Sequence, residues 1–135
     1  MPRDDWYRCK DWTPQERATF DEKIARSRSP WSKWQYFQCQ AGLLFYHGRA
    51  ADSREEALRL LERSLVEVRD IEPGWAAHTL IDLGQYELAM GRLDDAEKHL
   101  LEARERCPRK EKADVLRDIR DALARVREAK RSAST

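Results

Sequence analysis

Glycine and proline are scarce in this sequence, five of each in 135 residues. That excludes collagen-like and loop-dominated architectures and favours long regular elements. Cysteine is scarce too. Cys9, Cys39 and Cys107 are odd in number, widely spaced and without a Cys-x-x-Cys pair. This is the pattern of reduced thiols rather than of a disulfide framework. No apolar run approaches about 18 residues, so no membrane span is expected. The opening residues, MPRDDWYRCKDW, hold no apolar stretch of the kind a secretion signal needs. A cytoplasmic setting is the expectation from these two features together. No four residues alternate with period two between turn signals, so no strand is expected.

Catalytic signatures are missing as well. There is no glycine-rich phosphate loop, no Gly-x-Ser-x-Gly, no His-Glu-x-x-His and no Asp-x-Asp-x-Asp-Gly calcium loop. The histidines, His47, His78 and His99, do not pair with another His or a Cys at i,i+3 or i,i+4. A bound metal, a cofactor and enzymatic activity are therefore not expected.

What is present is charge and helix punctuation. Charged residues make up 38% of the chain, yet Lys+Arg (26) and Asp+Glu (25) nearly cancel. The distribution is uneven: +2 over residues 1–34, −5 over 35–108 and +4 over 109–135. Such asymmetry can steer a charged partner; the plainer alternative is a well-solvated helical surface. Carboxylates are interleaved through the final basic segment, which reads against a phosphate track and against nucleic acid as the ligand.

Thr13-Pro14-Gln15-Glu16 is a capping box with proline in the first helical position, and it predicts a helix over 14–26. Ser29-Pro30 opens a second helix, over 30–47. Ser53-Arg54-Glu55-Glu56 is a second capping box, starting a helix to about residue 70. A break at Glu72-Pro73-Gly74 precedes a helix over 75–90, with Gly91 where a left-handed residue is wanted. Asp94-Asp95 opens a fifth helix that ends by Cys107-Pro108. A sixth covers about 110–130, and residues 131–135 read as a frayed tail. The expected fold is all-α, built of antiparallel hairpins.

Residues 77–110 read AHTLIDLGQYELAMGRLDDAEKHLLEARERCPRK. Leu80, Leu83-Gly84, Gly91, Ala96, Leu100, Ala103 and Pro108 stand at offsets that make this segment resemble a tetratricopeptide repeat. One position departs, Glu87 standing where the family has tyrosine. Residues 34–70 resemble a degenerate unit, with Ala57, Leu61 and Ser64 spaced like Ala96, Leu100 and Ala103, and Gly42 taken as the first-helix glycine. The resemblance implies a short array with a capping helix and arm over 1–29 and a solvating helix over 111–130, all in one domain.

In that family the first helix of each repeat lines a groove. The resemblance therefore implies groove positions His78, Ile81, Gln85, Leu88 and Ala89 in the clear unit. In the degenerate unit it implies Tyr36, Cys39, Leu43, Tyr46 and His47. Helix 30–47 carries two apolar stripes where a surface helix needs one, so it is either buried on two sides or open to a partner on one. Trp6, Tyr7 and Trp12 precede the first capping box. They either plug the end of the stack or form a contacting arm. The expected function is a bacterial-type, non-enzymatic binder of one protein partner: an immunity protein facing a toxin, a secretion chaperone or an adaptor. The rival is a small-molecule pocket using His78, His47, Tyr36 and Tyr46. The expected partner-contacting residues are Tyr36, Leu43, Tyr46, His47, His78, Ile81, Gln85, Trp6 and Trp12.

Overall fold

The computed structural model describes residues 5–107 and 112–134. Among these there are six α-helices and no strand: α1 Pro14–Arg26, α2 Pro30–His47, α3 Ser53–Val68, α4 Pro73–Ala89, α5 Leu93–Arg106 and α6 Lys112–Ser134. A short 3-10 turn, Asp5–Tyr7, precedes them. The expected all-α fold is what forms, with α2 packed on α3, α4 on α5 and α5 on α6. Pro108 and the expected start of the last helix lie outside the described residues. The chain divides into two compact units, Met1–Val68 and Arg69–Thr135.

In the first unit, the Thr13 box forms in full. The Thr13 hydroxyl accepts the Glu16 N–H at 3.1 Å and the Glu16 carboxylate accepts the Thr13 N–H at 2.9 Å. The backbone amide of Thr13 holds the Glu16 carboxyl below its ordinary range. The Ser29 hydroxyl caps α2 through the Ser32 N–H. The second expected box does not form. Ser53 is itself the first helical residue, and its hydroxyl accepts the Ala50 N–H at 3.1 Å. Glu56 is instead buried and faces two cations, Arg59 at 2.7 Å and Arg17 of α1 at 3.6 Å. A local capping signal has lost to a longer-range ion pair. Asp21 and Arg63, at 2.8 Å, add a second tie between α1 and α3.

Helices α2 and α3 form the first hairpin. Phe37, Gln40, Ala41 and Leu44 line the buried side of α2, against Ala57, Leu61 and Ser64 of α3, all at most 1% exposed. The Ser64 hydroxyl finds no hydrogen-bond partner among the described residues.

In the second unit, α4 starts two residues earlier than expected. Pro73 takes the first helical position and the Glu72 carboxylate caps the Gly74 N–H at 3.2 Å. Its far end is a Schellman motif. The Arg92 N–H reaches the Glu87 carbonyl at 2.8 Å and the Gly91 N–H reaches the Leu88 carbonyl at 3.1 Å. Gly91 has φ +79°, the left-handed conformation the motif demands. The hairpin contact between α4 and α5 is close at Gly84. A Cβ placed there would lie 2.5 Å from Leu100 Cγ and 2.8 Å from Cδ2. Leu80, Leu83, Ala96, Leu100 and Ala103 are fully buried around it.

Both first helices of the hairpins bury residues at 3–4 spacing. Leu80, Leu83, Gly84 and Glu87 are buried in α4 as Phe37, Gln40, Ala41 and Leu44 are in α2. Gly42 is only half-buried. Ala41, beside it, is fully buried.

Helix α6 packs on α5 through Ile119, Ala122, Leu123 and Val126, each at most 2% exposed. It runs to Ser134, past the expected end at Lys130, since nothing in Arg-Ser-Ala-Ser stops a helix. Lys130 reaches Asp94 at 2.8 Å and Glu97 at 3.0 Å, joining the end of α6 to the start of α5.

Candidate functional site

The N-terminal aromatics are the first group to place. Glycine-free and proline-free, the segment between the 3-10 turn and Thr13 needs outside support for its backbone. Gln40 supplies it. The fully buried amide of Gln40 accepts the Cys9 N–H at 2.9 Å and donates to the Cys9 carbonyl at 2.7 Å. One side chain thus satisfies both polar groups of a residue 31 positions away. The Arg49 N–H donates to the Lys10 carbonyl at 3.1 Å, and the Arg49 guanidinium meets Asp11 at 3.4 Å.

This pinning delivers the rings to one cluster. Trp6 packs on Tyr36 at 4.5 Å and on Phe20 at 5.6 Å between centroids. Tyr7 packs on Tyr36 at 4.8 Å. Trp12 meets Phe20 at 5.3 Å, edge to face, and Phe20 meets Phe37 at 5.4 Å. Trp12 takes φ +52°, an uncommon conformation for a bulky residue, and is 7% exposed. Its ring packs on Phe20 in the second turn of α1 rather than stapling the first. Tyr36 and Trp6 are half-buried in the cluster. Three of the expected contact residues, Trp6, Trp12 and Tyr36, are therefore brought together, and they serve the packing of this unit.

The remaining positions of α2 are open. Tyr46 is 66% exposed and rests edge-on against Phe45 at 5.1 Å. His47 is exposed and Leu43 half-buried. Trp31, at the other end of α2, is 49% exposed and was not singled out from the sequence. Its place outside both apolar stripes is the signal that would have found it. On α4, His78 is exposed, Gln85 half-buried and Ile81 buried.

Glu87 is the second residue the sequence did not assign. It is 3% exposed, and one carboxylate oxygen lies 2.6 Å from Nδ1 of His99 on α5. It stands where the repeat family has tyrosine, while Tyr86 beside it is buried. The pair crosses the α4–α5 hairpin beside the Gly84 contact. It ties the two helices of this hairpin together.

Two concavities matter. One, about 240 Å³, lies over the α1–α3 ion pairs and is lined by Trp12, Arg17, Asp21, Glu56, Arg59 and Leu60, among others. The other, about 510 Å³, runs along α6. Among the described residues no group of three or more His, Cys, Asp or Glu side chains is placed to hold a metal ion. No helix among them is long and apolar enough to cross a membrane. Compared with protein-family models, with curated proteins and with solved structures, the chain matches none.

Proposed function

We propose that this chain is a non-enzymatic module that binds one dedicated protein partner. The observation that carries the reading is the exposed aromatic surface of α2: Tyr46 at 66% and Trp31 at 49%, on a helix whose inner side is already fully packed. An aromatic ring left in water on a finished helix is what a partner's pocket takes up, and such anchors carry most of the energy of an interface. Tyrosine suits the role because its ring is apolar and its hydroxyl stays hydrogen-bonded. His47, next to Tyr46, and Leu43, three residues before it, belong to the same stretch of α2; on α4, His78 is exposed and Gln85 half-buried. Trp12 and Ile81 drop out as anchors, because both are buried.

Among such modules we favour an immunity protein that neutralises a bacterial toxin in the cytoplasm, over a secretion chaperone or an adaptor. The support is an uneven charge distribution suited to fast association, and the resemblance of 77–110 to a repeat used for protein binding. The test is affinity capture with the full chain, identification of the bound protein, and calorimetry with Tyr46→Ala and Trp31→Ala variants of native circular dichroism. Each true anchor weakens binding by about 2 kcal/mol or more. Parent-like binding by both variants overturns the α2 surface. A captured protein that kills cells unless this chain is co-expressed establishes the immunity role.

A further inference from the structure

The exposed end of α2 holds a second group besides Tyr46. Arg54, in the first turn of α3, donates from Nε to the Phe45 carbonyl at 3.4 Å, and its guanidinium lies over the Phe45 ring, 4.6 Å from the centroid. That carbonyl belongs to the peptide bond leading into Tyr46. The Tyr46 ring meets the Phe45 ring edge-on at 5.1 Å. The cation and the open tyrosine are thus both seated on Phe45.

Two ordinary duties account for part of this contact. Phe45 stands in the last turn of α2, where carbonyls lack a partner within the helix, so the Nε bond caps it. The guanidinium plane also covers a ring that is itself buried. Both duties use Nε and one face of the plane. A guanidinium carries five N–H donors. Those on the two terminal nitrogens of Arg54 make no hydrogen bond or ion pair among the described residues. Arg54 is exposed, and no Asp or Glu stands anywhere in α2 to answer it. Asp52 and Glu55 are close in sequence, yet neither pairs with it. An arginine stem usually loses much rotamer freedom when it binds; here the stack and the cap have ordered it already.

We propose that this end of α2 takes one Asp or Glu side chain of the protein partner on the Arg54 fork, while Tyr46 enters an apolar pocket beside it. The inference rests on the reading of α2 as the binding surface and deepens it by naming what the partner presents. Guanidinium and carboxylate match through two parallel hydrogen bonds, which lysine does not reproduce. Tyrosine and arginine are the residue types that anchor interfaces. Half-buried Leu43, three residues before Tyr46 on the helix, extends the apolar part of the contact. Asp52 and Glu55 repel a run of negative charges along its length, whereas one carboxylate at the fork meets them only beyond contact distance. The site therefore suits a single acidic side chain among apolar ones rather than a polyanion such as nucleic acid.

The experiment selects a phage-displayed random dodecapeptide library on the full chain, with a parallel selection on Tyr46→Ala. Peptides retained by the parent and lost on Tyr46→Ala are expected to carry an Asp or Glu beside apolar residues at least about twofold more often than the unselected library. The most frequent one, labelled with fluorescein, is then followed by anisotropy. Arg54→Gln is expected to weaken it about tenfold or more, and Arg54→Lys to lose most of that as well. Arg125→Gln, at an exposed arginine on α6, is expected to change it less than about twofold. Exchanging the acidic residue of the peptide for its amide is expected to match the loss on Arg54→Gln, and the two changes together to add little. Circular dichroism checks each fold; the amide peptide needs no change in the protein, so it decides the matter even if Arg54→Gln unfolds. Tyr46-dependent peptides without the acidic enrichment, or an acidic peptide indifferent to Arg54, overturn this proposal and leave the α2 surface standing. Tighter binding of a single-stranded DNA than of the peptide overturns it too. So does a selection that yields no Tyr46-dependent peptide; the α2 surface is then decided separately, by calorimetry with the captured partner.

Discussion

Replacing Gly84 by alanine sets two known effects against each other. In an exposed helix the change stabilises by about 1 kcal/mol, because alanine loses less backbone freedom on folding. Here the new Cβ would meet Leu100 Cγ at 2.5 Å, Cδ2 at 2.8 Å and Cδ1 at 3.2 Å. Leu100 is wholly buried, so it has no open space to swing into. Overpacking of this kind costs about 1–3 kcal/mol. The net expectation is a loss of up to about 2 kcal/mol. A double-mutant cycle separates the terms. Leu100→Ala alone leaves a cavity and costs about 2–5 kcal/mol. In that background the added methyl meets no leucine, so Gly84→Ala should turn stabilising by about 1 kcal/mol. The coupling between the two sites should then be about 1–3 kcal/mol. Urea titrations followed by circular dichroism measure all four variants, with tryptophan fluorescence checking that one transition describes each. If Gly84→Ala is more stable than the parent, or the coupling is zero, the close approach of α4 and α5 at this point is wrong.

Two further perturbations probe other ties. Gln40→Ala removes both hydrogen bonds to Cys9 and leaves its backbone polar groups unpaired; limited proteolysis should then cut near residues 9–12 much faster than in the parent, and unchanged cleavage would show that the ring packing alone holds the segment. The Asp94–Lys130 tie gives a pH signature. The Lys130 hydrogen bond lowers Asp94 from its ordinary 3.8, so its contribution is full above that value and lost as pH falls through the lower folded value. The Asp94 hydrogen bond raises Lys130 from its ordinary 10.5, so its contribution is full below that value and lost as pH rises through the higher one. The melting-temperature gap between parent and Lys130→Met should be flat between these limits, close at both ends and shrink with salt; a gap that grows at either extreme contradicts the assignment.

The helical punctuation was legible wherever the signal is satisfied within one turn. Thr13, Ser29 and Gly91 act on neighbours three residues away, and each does what its sequence context implies. Ser53 and Glu56 carry the same local pattern, but Arg17 and Arg59 offer Glu56 a better partner than a backbone amide does. No local pattern reports that competition. Gln40 was unreadable for the same reason at longer range: an amide in an apolar stripe says only that it must be satisfied, not by which residue. Glu87 reads as a departure from a repeat until His99, twelve residues on, is seen at 2.6 Å. The close contact of α4 and α5 was visible in the small residues Gly84, Ala96 and Ala103, which are the ones buried there. Of the candidate site, the α2 tyrosines were visible as surplus aromatics. That Tyr36 joins the packed cluster while Tyr46 faces solvent depends on where the N-terminal segment lies.

The hold of Gln40 on Cys9 also sets an order of events during synthesis. Trp6, Tyr7 and Trp12 leave the ribosome before their clamp, since the Gln40 amide comes 31 residues after Cys9 and Arg49 later still. At about 5–20 residues per second, the nascent chain carries these three rings without their clamp for about 2–6 s. During that interval they are an apolar liability, open to chaperones and to neighbouring chains. The two halves of the hairpin that follows need no such wait, since each finds its partner within the next turn-linked helix. The aromatic cluster is thus secured only after the chain has grown well past it.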